Sequence, residues 1–103
     1  KYSTFFSAEC GKVSLKEAIL FRANMVGGNF YQAKFVKTDL TEANLSNSDL
    51  RKADFSKAIL TKTNLGNANL QGANFKGADL RGVIVSQEQL KTAKNVDKSF
   101  LTN

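Results

Sequence analysis

The chain has 103 residues, 42% of them apolar and 23% charged, which is one domain of ordinary soluble composition. No apolar run reaches the roughly 18 residues of a membrane-spanning helix, and no signal-peptide pattern is visible. Histidine is absent and Cys10 is the single cysteine, which removes the usual general base, the commonest metal ligand and any internal disulfide.

A net charge of +6 suits an acidic partner or plain solubility. Because the chain starts at Lys1 rather than Met, a removed or omitted upstream segment is expected. The sequence assigns no compartment.

From residue 5 to residue 85 every fifth position is apolar: seventeen in all, from Phe5 and Cys10 through Leu15, Leu20 and Met25 to Val85. Chance gives such a run on the order of once in a million trials. Two positions before each centre the residue is small except at Val13 and Val83, and ten of the seventeen are alanine. Between the small residue and the centre stands Asn or Asp in ten of seventeen cases. An α-helix advances about 500° in five residues and would smear this stripe around its circumference. A flat strand would flip every second centre to the other face. The chain must therefore turn once per repeat, with the small residue and the centre pointing inward and the Asx pointing out. Asx side chains stabilise such turns. Gly27, Gly72, Gly77 and Gly82, two residues after a centre, permit positive φ at a corner.

The segments "ANL", "SDL", "ADF", "TNL", "ANF" and "ADL" resemble the A(D/N)LXX motif of the pentapeptide-repeat family, and the resemblance runs unbroken over residues 3 to 87. It implies an all-β solenoid: a right-handed quadrilateral β-helix with four repeats per coil, about four coils here. Residues n and n+20 then stack. One inner column becomes Leu15, Phe35, Phe55 and Phe75, and another Leu20, Leu40, Leu60 and Leu80. The expected core is Phe30, Phe35, Leu40, Leu45, Leu50, Phe55, Leu60, Leu65, Leu70, Phe75 and Leu80. Each should contribute roughly 1.5–3 kcal/mol.

In chain order, the first coil is the least regular, with Glu9, Cys10 and Val13 in repeat slots. Cys10 reads as a small buried hydrophobe. No cap is visible before Ser3. That end is either covered by an upstream segment or a surface for weak homodimerisation. On the second coil Phe21, Val26, Tyr31 and Val36 follow successive centres, a slot that is polar or glycine in most other repeats. They form a candidate apolar girdle for a partner, or they tuck along their neighbours. Ile19 and Ile59 replace Asx on one face and either extend the girdle or serve as β-branched strand residues. The third coil is the most basic. Arg51, Lys52, Lys57 and Lys62, with Lys37 beside Lys57, form a candidate basic belt or a solvated surface. After Val85 the repeat decays. Ser86 and Gln89 are spaced as a capping box, predicting a short cap helix over residues 87–94. The domain division expected is 3–85 for the β-helix and 86–103 for the cap and tail.

These features favour a non-catalytic binding or scaffold module with a protein partner, no cofactor and no metal. Asp39 and Asp79 share a face roughly 10 Å apart, a carboxylate spacing compatible with hydrolysis, yet no nucleophile or pocket accompanies them. The best-understood relatives protect DNA gyrase by resembling an acidic rod. This chain is basic, so gyrase or topoisomerase modulation is the weaker alternative, beside direct nucleic-acid binding through the third coil.

Overall fold

The structure is a computed structural model and describes residues 11–97. Expectations about Ser3, Phe5, Glu9, Cys10 and the N-terminal end, and about the tail beyond residue 97, fall outside those residues.

Five backbone donors per repeat dictate the architecture, because each must find an acceptor. Three of them cross between coils. In the repeat centred on Leu45, Leu45 N–H donates to Asn64 O, Asn47 N–H to Gly66 O, and Asn44 N–H back to Ala23 O. A fourth closes the corner, as Ala43 N–H does on Leu40 O. The fifth, on the residue after the centre, donates to the Asx side chain: Ser46 N–H reaches Asn44 Oδ1 at 3.0 Å and Gly66 N–H reaches Asn64 Oδ1 at 2.8 Å. The five-residue motif is thus a complete hydrogen-bonding unit.

The cross-coil bonds pair residues twenty apart in parallel, one bridge per repeat, rather than in long continuous strands. They define four walls. The first is Ser14, Lys34, Asp54, Asn74 and Lys94; the second is Ile19, Asp39, Ile59 and Asp79. The third is Asn24, Asn44, Asn64 and Ile84; the fourth is Asn29, Asp49 and Asn69.

Inside, the centres stack in columns. Phe35 and Phe55 lie 4.8 Å apart at 4°, and Phe55 and Phe75 lie 5.0 Å apart at 2°. Their spacing matches the separation of paired strands. The eleven core residues expected from the repeat, from Phe30 to Leu80, are all buried. Thr38 and Thr63 take the small inward slot and donate their hydroxyls to Leu15 O and Leu40 O, each at 2.7 Å.

Corners need positive φ two residues after the centre. Glycine supplies it at Gly27, Gly72, Gly77 and Gly82, but eleven non-glycine corners adopt it as well, among them Lys52, Lys57 and Asn67. The corner and cross-coil bonds offset a left-handed cost of about 1–2 kcal/mol at each.

The C-terminal helix is shorter than expected. α1 spans Gln87–Lys91, with Ser86 as N-cap and a complete Ser86–Gln89 capping box. It stops because the solenoid ladder reclaims the chain. Lys94 N–H donates to Ala73 O at 2.7 Å and Lys94 O accepts from Phe75 N–H at 3.0 Å. Gln89 also plugs the coil below, its Nε2 donating to Leu65 O at 2.6 Å and Ala68 O at 2.9 Å.

Candidate functional surface

Because the inward positions are filled by the core, the chemistry available to a partner stands on the walls and corners. The girdle residues turn outward to different degrees. Phe21 is 39% exposed, while Val26, Tyr31 and Val36 are half-buried. Tyr31 is covered by the Arg51 guanidinium, 4.9 Å from its ring centre. Among the described residues the large exposed apolar side chains are Ile19, Phe21, Ile59 and Ile84. Three of these four are isoleucines in Asx slots. Ile19, 78% exposed, belongs to the same repeat as Phe21, so the two form an apolar edge on the second wall and its following corner.

The residues read as a basic belt do not share one side of the column. Arg51 and Lys52 stand on the corner before the first wall, Lys37 and Lys57 on the corner after it, and Lys62 on the corner after the second wall. Arg51 is also engaged by Asp49, Nη2 to Oδ2 at 2.7 Å. Its hydrogen bonds hold the Asp49 carboxyl below the usual carboxylate range. Arg81 does the same to Asp79.

Charge is arranged by wall rather than by coil. The first wall presents Lys34 and Lys94 around Asp54 and Asn74. The corner before it adds Lys12, Arg51 and Lys52, and the corner after it adds Lys16, Lys37, Lys57 and Lys76 against Glu17. This side is therefore predominantly cationic, with Glu17, Asp54 and the exposed Asp97 as its carboxylates among the described residues. The third wall and the corner after it carry no charge among those residues, only amides, small residues, Val26 and Ile84. The first wall and the corner before it also form a shallow open groove, with Lys12, Lys34, Lys52, Asn74 and Lys94 in its lining. The sequence reading missed Lys12, Lys34 and Lys94. Reading charges at intervals of twenty residues would have found them.

The Asp39 and Asp79 carboxylates are both committed. Asp39 Oδ1 accepts from Thr41 N–H at 3.0 Å and Thr41 Oγ1 at 2.6 Å, while Asp79 pairs with Arg81. Ile59 stands between them on the wall. Among the described residues no three His, Cys, Asp or Glu side chains converge as a metal-binding group, and no helix is long and apolar enough to cross a membrane.

Four walls linked by parallel bridges every twenty residues define a solenoid of five-residue repeats. The chain belongs to the pentapeptide repeat family, whose model matches it in eight copies over residues 14–56 and 48–87. Solved structures with this architecture include HetL of the cyanobacterium Nostoc, a pentapeptide repeat protein involved in heterocyst differentiation regulation. HetL is 32% identical with a TM-score of 0.78, over 84% of this chain and 41% of HetL. A pentapeptide repeat protein of the Arabidopsis thaliana thylakoid lumen is 38% identical with a TM-score of 0.70, over 91% of this chain and 75% of that one. A second Nostoc pentapeptide repeat protein is 27% identical with a TM-score of 0.63, over 95% and 80%. The chain thus spans less than half the length of HetL. The search of curated proteins found no match. The fold of these relatives is the right-handed quadrilateral β-helix.

Proposed function

We propose that this chain is a non-catalytic binding module: a rigid column of about four coils, capped by α1, that presents its outer surface to a protein partner. The repeat region is read as residues 3–85 and the cap and tail as 86–103. The observation that carries the reading is the apolar edge of Ile19 and Phe21. Every Asn or Asp in this slot among the described residues accepts from the N–H two residues on, and isoleucine cannot perform that task. At Ile19 an exposed β-branched side chain replaces a turn-stabilising one, next to an exposed aromatic ring. Stability alone favours Asn there, so the departure points to recognition. Buried aromatic and aliphatic anchors dominate protein interfaces, and a contiguous exposed patch is their usual mark.

The test compares wild type with Ile19→Asn/Phe21→Lys as bait in source-cell lysate, with circular dichroism as the check on folding. A protein retained by wild type and lost from the folded variant supports the reading. Equal retention of every captured protein contradicts it. HetL's regulatory role and the lumenal location of the Arabidopsis relative are properties of those proteins, and they motivate using lysate fractionated by compartment.

A further inference from the structure

The cationic side of the column is a different surface from the apolar edge, which begins on the adjoining second wall, and it calls for a different partner. We propose that the first wall and its two flanking corners bind the phosphodiester backbone of nucleic acid, independently of the protein-binding edge.

Three observations converge. First, stacking at twenty-residue intervals gathers charges that are scattered in the sequence. Lys12 and Lys52 share one corner, Lys37 and Lys57 the other, and Lys34 and Lys94 the wall between them. Coils are about 4.8 Å apart, so cations two and three coils apart lie roughly 10 and 14 Å apart along the axis. A stripe of this kind is the electrostatic footprint of a polyanion site. Second, the stripe is built from lysine, with Arg51 held by Asp49. Lysine meets phosphate as a point charge on a flexible stem. Gln71 lines the same groove, beside Asn74 and Asn95, whose Nδ2 groups already donate to Ser56 Oγ and Asn74 Oδ1. Third, the large exposed apolar side chains among the described residues, Ile19, Phe21, Ile59 and Ile84, all stand off this side. A protein interface needs desolvated apolar or aromatic anchors, and among the described residues this side offers no exposed one: Tyr31, under Arg51, and Val36 are half-buried. Backbone contact to phosphate needs only charge and donors. Asp54, in the middle of the wall, is occupied by Ser56, whose N–H donates to its Oδ1 at 3.0 Å.

The test is fluorescence anisotropy of a labelled mixed-sequence single-stranded DNA with the full chain, repeated across a salt series and with duplex DNA. Two double variants remove the same net charge: Lys34→Gln/Lys52→Gln on the stripe, and Arg22→Gln/Lys62→Gln on the corner after the second wall. Circular dichroism confirms that each is folded. The expected result is binding at low salt, weakened on the order of tenfold by the stripe variant, with a salt slope shallower by about one to two. The control variant should bind as wild type does. Equal weakening by both variants would reduce the effect to net charge and overturn the proposal, as would no binding at low salt. Displacement of the DNA by polyglutamate at equal charge concentration would assign the stripe to acidic protein and overturn the phosphodiester assignment.

Discussion

Gly28 occupies an inward slot that is alanine in most repeats, and its neighbour explains why. A Cβ built on Gly28 would fall 2.3 Å from Phe30 Cε2. Phe30 turns its ring against Phe35 edge-on, centroids 5.6 Å apart at 62°, and so uses the space that alanine would fill. Gly28→Ala should therefore destabilise by about 1–3 kcal/mol through overpacking. Phe30→Leu should recover part of that loss in the double variant, whose stability by urea unfolding should exceed the additive expectation. The Asx slots give a second test. Ile59 leaves Thr61 N–H without the side-chain acceptor that Ser56 and Gly66 have. Ile59→Asn should raise stability by about 0.5–1.5 kcal/mol, the net value of one hydrogen bond. A loss of stability would mean that the isoleucine packs on the wall and is retained for folding. The ion pairs add a pH dependence. The Asp49 and Asp79 carboxyls titrate below their ordinary value because of Arg51 and Arg81. Their stabilisation is present above the unfolded carboxylate pKa, near 4, and is lost as pH falls through the lowered folded value. In Asp49→Asn/Asp79→Asn the amide can still cap the turn. The stability difference from wild type should be present at neutral pH and vanish in strong acid. Both pairs are largely solvent-exposed, so the difference is small.

At the scale of an element, α1 matters for what its capping residue reaches. The capping box was legible in the spacing of Ser86 and Gln89. The helix length was not, because sequence periodicity cannot see the competing ladder that draws Lys94 onto Ala73 and Phe75. Nor does the helix end reveal that the Gln89 amide seals two carbonyls of the last coil. Glutamate is as good as glutamine in a capping box, yet Gln89→Glu removes both donors to Leu65 O and Ala68 O. It should cost about 1–3 kcal/mol where a helix rule alone predicts none, measured by urea unfolding. The inward positions were legible in the five-residue period, whereas their stacking into columns twenty residues apart came from what the family resemblance implied. The corners were legible in part. Glycine marked four of them, whereas the positive φ at Lys52 and Lys57 is imposed by cross-coil bonds that leave no trace in residue type.

At the scale of the molecule, the coil register sorts one sequence into walls of different chemistry. The first wall and its corners are cationic, the second carries apolar and paired acidic groups, and the third is a ladder of asparagines closed by Ile84. Grouping Lys37, Arg51, Lys52, Lys57 and Lys62 by proximity in sequence suggested a belt around one coil. The structure runs the charge along the axis instead, because the neighbours of a residue in this fold are twenty positions away. The most direct test of this arrangement is a titration of the isotope-labelled full chain with single-stranded DNA, followed by amide chemical shifts. The account predicts shifts that recur at twenty-residue intervals around Lys12, Lys34, Lys52 and Lys94, with Asn24, Asn44 and Asn64 unmoved. Shifts that instead follow one coil from Lys52 through Lys57 to Lys62, or that spread evenly over every wall, would contradict it.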